Sequence, residues 1–182
     1  ARRGALAEGR GLMAGVGRGP APDVRPLRAA DLPAVLAIQH AAHGAGYQES
    51  AAVLGRKLEF APGACWLAHM DEVAVGYVFA HPWSDAGAPP LHAPLVLPAA
   101  ADRGFVHDLA VLPAARGRGV AATLFTCVRA WSAAAGHRGM RLVALADAVP
   151  FWRRQGFQAL PATLPAGYGD GACLMECSLP QA

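Results

Sequence analysis

The chain has 182 residues, enough for one domain with a sizeable core, and 54% of them are hydrophobic, many being alanine. No apolar run approaches the ~18 uninterrupted residues of a membrane span, and the short one at residues 93–101 is broken by Pro94 and Pro98. The net charge of +3 suits a polyanionic ligand but is too small, and too scattered outside one loop, to argue for nucleic acid.

Residues 1–22 are rich in Ala, Gly and Arg, hold no aromatic residue and show no sustained period, so they read as a disordered tail ahead of a domain at 23–182. Their Arg-rich composition fits an organelle transit segment except that serine is absent, and the lack of an initial Met leaves room for an upstream piece. Residues 24–28 read as a short strand. Asp31 is placed to cap a helix reaching about Ala42, with Leu32, Val35, Ile38 and Ala42 on one face. Gly44-Ala45-Gly46 breaks it, and Ser50 caps a second helix to about Phe60, with Val53, Leu54 and Leu58 inward.

Residues 65–70 and 73–81 form an antiparallel hairpin around Asp71-Glu72, with Val73, Val75, Tyr77 and Phe79 alternating as in a half-buried strand. A long Pro/Ala connection at 82–103 carries Trp83, Leu91, His92 and Leu95. Connections of that length are usually functional or unstructured, and this one is read as a lid over a site or a solvated excursion.

Residues 106–111 form the next strand, with His107, Leu109 and Val111 on one face and Val106, Asp108 and Ala110 on the other. Pro113 ends it. The loop Arg116-Gly117-Arg118-Gly119 leads into a helix with apolar positions at Val120, Leu124, Val128, Trp131 and Ala135, stopped by Gly136. A helix opening on a glycine turn offers unpaired N–H groups and the positive end of its dipole, and two arginines add full charges. The loop is expected to hold phosphate, best a pyrophosphate.

A buried strand at 140–145, parallel to 106–111 because a helix lies between them, follows. Asp147 is placed to cap a short helix to Gln155, and Gly156 to take the left-handed exit. Residues 157–160 and 172–179 close the sheet as an antiparallel pair. The four cysteines (Cys65, Cys127, Cys173, Cys177) are poorly spaced for a metal and read as reduced thiols of a cytoplasmic protein.

Arg116-Gly117-Arg118-Gly119-Val120-Ala121 resembles the R/Q-x-x-G-x-G/A signature of the GCN5-related N-acetyltransferases (GNAT), and Leu109-Ala110-Val111-Leu112-Pro113 resembles their fourth strand. Downstream, residues 148–157 resemble the family's short helix ending in Gly-Phe. The likeness spans residues 23–179 and implies an α+β fold of the GNAT type: a central mixed, mostly antiparallel sheet, a splayed parallel strand pair and helices on both faces.

The resemblance implies acetyl-CoA as cosubstrate and no metal. Leu109, Ala110 and Val111 would pair with the pantetheine arm, the loop from Arg116 through Gly117, Arg118, Gly119 and Val120 to Ala121 would hold the pyrophosphate, and Trp152 would lie beside the cofactor. A backbone N–H near residues 109–111 would stabilise developing oxyanion charge. By the same likeness, Tyr47 is a candidate for contact with the acceptor, or a surface tyrosine covering the helix pair. Trp83, on the long connection, is a second substrate candidate.

An ammonium acceptor titrates near ~10 and must lose a proton before it attacks. His107, which matches a histidine in the H-x-L-A-V strand of aralkylamine N-acetyltransferases, is the candidate base. Asp108 is the candidate that binds the amine. Each could instead be structural, and strict alternation lets only one face the site unless a bulge re-aims the strand. Many family members carry a tyrosine as general acid where this chain has Trp152, and the usual asparagine near the end of the preceding strand is missing. Water, Tyr47 or Tyr168 could substitute.

Tyr47, Phe60, Trp66, Trp83, Phe151 and Trp152 are aromatic and carboxylates are few, which favours a small apolar or aromatic amine over a polyamine, although such residues are often core. The partner is thus a small-molecule amine, with no nucleic acid and no membrane, and with a homodimer left open. The competing reading is a catalytically weak acyl-CoA-binding or sensor domain. A nucleotide-binding α/β enzyme is disfavoured because the glycine loop lacks a Walker lysine.

Overall fold

The computed structural model describes residues 21–84 and 87–180. The expected tail falls almost wholly at residues 1–20, outside the described residues. The strands are β1 (Asp23–Pro26), β2 (Cys65–Met70), β3 (Val73–Trp83), β4 (Arg103–Val111), β5 (Gly139–Ala144), β6 (Gln158–Ala159) and β7 (Cys173–Ser178). The helices are α1 (Leu32–Ala42), α2 (Ala51–Phe60), α3 (Val120–Ala134) and α4 (Val149–Arg154). The chain order is the one expected, and the sheet runs β1-β2-β3-β4-β5-β7-β6. Every neighbouring pair is antiparallel except β4 and β5, which are parallel and joined by α3. Among the described residues no helix is long and apolar enough to cross a membrane.

Helices cover both faces. Val35 and Ile38 of α1 and Leu54 and Leu58 of α2 pack on Leu67, Tyr77, Phe79 and Ala110. On the other face Val120, Leu124, Phe125 and Val128 of α3, with Trp152 of α4, pack on Val78, Val106, Val111, Met140 and Leu142. β3 is therefore buried on both faces from Val75 to His81, not half-buried as its alternation suggested, and only its first residue, Val73, stands out. It also runs past His81 to Trp83, where Pro82 lies opposite Gly104 and Trp83 opposite Arg103. Trp83 thus belongs to the sheet and the connection starts one residue later. Its ring packs against His81 at 5.3 Å and Phe105 at 5.9 Å, and its Nε1–H donates to Gly87 O at 2.9 Å.

Close approach fixes where α3 begins. A Cβ on Gly76 would stand 2.9 Å from Val120 Cγ1 and 3.0 Å from Ala110 O, so the first turn of α3 lies directly on β3 and β4.

Two caps differ from expectation. Ser50 Oγ accepts the Val53 N–H at 3.3 Å, as its position before α2 requires. Asp31 precedes α1 but gives it no side-chain cap. Its carboxylate turns back to accept from the Arg28 N–H at 2.8 Å and from Arg25 at 2.7 and 2.8 Å. Asp147 is not the cap of α4 either. Ala148 holds that position without a side-chain bond, and Asp147 is exposed.

Candidate functional site

β4 and β5 pair only from Arg103 with Gly139 to Val106 with Leu142. β4 then continues alone on that side to Val111. The gap between the diverging strands opens into a cavity of about 660 Å³, walled by Leu109, Ala110, Val111, Leu142, Val143, Leu145, Phe151 and Trp152.

At one end lies the glycine loop. Pro113–Ala115 form a 3-10 turn, and Gly117 and Gly119 have φ of 76° and 84°. No side chain would be comfortable there, and space for at least 4 Å lies around both. Gly119 is the N-cap of α3, no side chain caps this helix start and its first turn holds no acidic residue. The first α3 amide bonded back is that of Thr123, to Gly119 O at 3.0 Å, so the preceding first-turn amides are free for an anion. Arg116 and Arg118 are exposed beside them. Arg116 and Ala121 line the cavity, whereas Gly117, Arg118 and Gly119 lie beyond its end and Val120 is buried in the core.

At the other end the strand is re-aimed. Asp108 pairs with Phe79 and Val106 with Ala80, so His107 is an extra residue on β4. The strict alternation expected for this strand does not hold. Val106 packs with Leu109 and Val111 on the α3 face, and His107 and Asp108 both reach groups supplied by the α1–α2 side.

His107 Nε2–H donates to Glu49 Oε2 at 3.1 Å, and its Nδ1 is a buried atom without a partner. Glu49 Oε2 also accepts from Lys57 Nζ at 2.6 Å, and Oε1 accepts the His92 N–H at 3.1 Å. Both Glu49 and Lys57 are buried. Burial works against the charge on Glu49, but His107 and Lys57 outweigh it and hold its pKa down at about 2. Burial lowers the Lys57 pKa, opposed by the Glu49 charge.

Asp108 makes a second such pair. Its Oδ1 accepts from His43 Nε2–H at 2.9 Å and its Oδ2 from Tyr77 O–H at 2.6 Å. Burial disfavours charge on His43, yet the Asp108 carboxylate prevails and raises its pKa. Close by, His81 is driven down to about 3, first by burial and then by the charge of His107, so it is neutral at pH 7.

Tyr47 lines the cavity and its O–H donates to Tyr168 O at 3.3 Å. Tyr168 lines it too, its O–H given to Pro89 O at 2.7 Å. Leu91 brings the long connection to the same wall. Trp83 does not reach this cavity. It borders a separate one of about 140 Å³ behind His107 and Lys57. Phe60 is exposed under Arg56, and Trp66 packs at the core margin, so neither is a cavity residue.

Sequence reasoning passed over His43, Lys57 and the partnership of Glu49 with His107. Lys57 had a signal: it falls three residues after Leu54, on the apolar face of α2. His43 and Glu49 had none, because their partners lie 65 and 58 residues away.

The model of the acetyltransferase (GNAT) family matches residues 32–157. No curated protein matches the sequence. Among solved structures, Ard1 from Thermoplasma volcanium is 17% identical, with a TM-score of 0.72 over 89% of this chain and all of that one. The GphF GNAT-like decarboxylase in complex with isobutyryl-CoA is 20% identical, with a TM-score of 0.70 over 86% of this chain and 98% of that one. The PaiA N-acetyltransferase from Thermoplasma acidophilum in complex with coenzyme A is 12% identical, with a TM-score of 0.67 over 88% of this chain and 100% of that one. At these identities the likeness is one of fold.

Proposed function

The chain belongs to the GNAT family of acetyltransferases, and from that premise we propose that it moves an acetyl group from acetyl-CoA to the primary amine of a small apolar or aromatic acceptor. The observation that carries this is the open gap between β4 and β5, with an uncapped helix start at one end and His107 beside Asp108 at the other. The residues fit the cosubstrate: free first-turn amides and two arginines for a pyrophosphate, an unpaired strand edge from Leu109 to Val111 for an extended amide-bearing arm, and the Trp152 ring as wall. Bound there, acetyl-CoA supplies an activated thioester carbonyl.

The chain's part is proton handling and orientation. His107 Nδ1, buried and without a partner among the described residues, is the atom that takes a proton from the acceptor's ammonium once the bound acceptor opens a path to it, leaving the amine nitrogen its lone pair for attack on the carbonyl carbon. Asp108, held by Tyr77 and His43, receives the cationic end of the acceptor on arrival. Backbone N–H groups along residues 109–111 face developing negative charge on oxygen. Trp152 cannot protonate the departing thiolate. A thiol of pKa near ~8.5 leaves tolerably without full protonation, and Tyr47 and Tyr168 line the same cavity.

Charge matching supports the acceptor class. Glu49 is balanced by Lys57 and His107, and Asp108 by His43, so the buried carboxylates are each matched and only Asp147 and Asp170, exposed at the cavity rim, remain for a second cation. Four free cysteines support a reducing, cytoplasmic setting. The test is release of free CoA from acetyl-CoA across a panel of amines. Saturable turnover with a monoamine is expected. Micromolar binding of acetyl-CoA without turnover on any amine supports the second reading, an acyl-CoA-binding sensor, which the replacement of a hydroxyl by the Trp152 indole favours.

A further inference from the structure

We infer that Glu49 is a positioning residue, which fixes the tautomer and ring orientation of His107 so that Nδ1 is the basic atom. The inference rests on the reading of His107 as the base.

An imidazole has one lone pair to offer when neutral, and its other nitrogen decides which atom carries it. A carboxylate can only accept, so Glu49 Oε2 at 3.1 Å requires the proton on Nε2 of His107. The lone pair is then on Nδ1, the atom without a partner among the described residues. A neutral amide in place of Glu49 could accept or donate, and would leave the choice open.

Glu49 is itself over-determined. The buried Gln39 side chain clasps its backbone, accepting the Glu49 N–H at 3.0 Å and donating to Glu49 O at 2.9 Å. Lys57 holds Oε2 from α2, and the His92 N–H holds Oε1 from the long connection. His92 adopts φ of 60°, uncommon for a residue with a side chain, and its Nε2–H donates to Gly46 O at 2.9 Å. The connection is thus latched on both sides of Glu49, and the carboxylate has three donors in a buried setting. Such outlay on one side chain that touches His107 is what a hydrogen-bonded support of a reacting group requires.

Other groups face this pair and will contribute to any pH dependence. They are Lys57 of α2, His81 of β3 with its ring 5.7 Å from that of His107, Asp108 and Tyr77 at the next strand positions, and Tyr168.

The experiment is nitrogen NMR of the histidine rings together with pH–rate profiles for the wild type, Glu49→Gln, Glu49→Asp and Glu49→Gln with Lys57→Met. The last keeps the buried charge balanced if the single variant unfolds. In the wild type the His107 ring should be the Nε2–H tautomer. Both Gln variants should lose ten- to a hundredfold in kcat/KM, mostly in kcat, with a mixed or reversed tautomer, and Glu49→Asp should recover part of it. A wild-type Nδ1–H tautomer, or a folded Gln variant with unchanged kcat and profile, overturns the inference. Failure of the base reading shows separately: His107→Ala would then keep the wild-type pH dependence, whatever the tautomer.

Discussion

His107 and Asp108 are neighbours on one strand, yet both side chains turn to the same cavity and each meets a partner from the α1–α2 side. The extra residue in β4 makes this geometry, because Asp108 lies opposite Phe79 while Val106 lies opposite Ala80. The proposed base and the proposed ammonium-binding carboxylate can therefore sit side by side. His107→Ala should flatten the pH–rate profile between roughly 6 and 8 and lower kcat by ~10²–10⁴-fold, the usual worth of a general base. Wild-type kcat with the wild-type profile would make His107 structural.

The anion end answers to a different measurement. Arg116 and Arg118 stand beside the uncapped start of α3. Replacing both with alanine should raise the CoA dissociation constant at least tenfold, at about 1.5–3 kcal/mol for charge-assisted contacts. The effect should shrink with added salt, since both side chains are exposed. Titration calorimetry with CoA and with dephosphorylated pantetheine separates the cases. Pantetheine affinity should be unchanged, and an unchanged CoA constant removes the phosphate site.

Local chemistry made most of the fold legible. Ser50, Gly119, Gly136 and Gly156 each mark an end that backbone geometry demands, and all four act as read. The glycine loop and the parallel strand beside it followed from a strand, two glycines and a helix in order. What failed depended on partners distant in sequence. The parity of β4 is set by its register against β3, which no residue within 106–111 encodes. Pro82 was read as the end of β3, but a strand tolerates a proline where its missing donor is not needed, and Trp83 moved from candidate pocket to sheet as a result. Asp31 and Asp147 were placed by rule as caps. Arg25 and the Arg28 N–H claim the first, and the second is left at the cavity rim.

Gly76 sets the height of α3 over the sheet. Alanine there would bring its Cβ to 2.9 Å from Val120 Cγ1, 3.0 Å from Ala110 O and 3.3 Å from Leu124 Cδ1. Backbone cannot yield as a flexible side chain does, so Gly76→Ala should cost about 1–3 kcal/mol. That corresponds to ~2–4 °C of Tm for each kcal/mol in a chain of this size. Gly63→Ala, where nothing lies within 4 Å and φ is not positive, is the control and should be near neutral. Equal melting temperatures for the two variants would show that α3 does not rest on Gly76. CoA affinity should fall with Gly76→Ala as well, because the displaced turn is the one that presents the free amides.

Stability should depend on pH from both sides, and the signs differ. Asp31 is held down at about 2, chiefly by the Arg25 hydrogen bonds against some burial, and Glu49 at about 2 by His107 and Lys57 against burial. A depressed carboxyl stabilises fully above its unfolded value near ~4, and the contribution goes as pH falls toward 2. His43 is raised despite its burial, because of Asp108. That contribution is full below ~6.5, the unfolded imidazole value, and is lost as pH rises through the higher folded value. Buried His81, held neutral down to about 3, adds a decline that begins as pH falls below ~6.5, because the unfolded imidazole takes its proton there. Denaturant midpoints should therefore fall on acidification from ~6.5, more steeply below about pH 4, and fall again on the alkaline side of ~6.5. Asp31→Asn should lose less stability between pH 5 and 2 than the wild type, and Asp108→Asn should remove the decline that begins near ~6.5, leaving the later alkaline loss from the buried Cys65 and Cys177 thiols, which burial raises. An Asp108→Asn protein that keeps the wild-type decline above ~6.5 would detach that decline from the His43 pair.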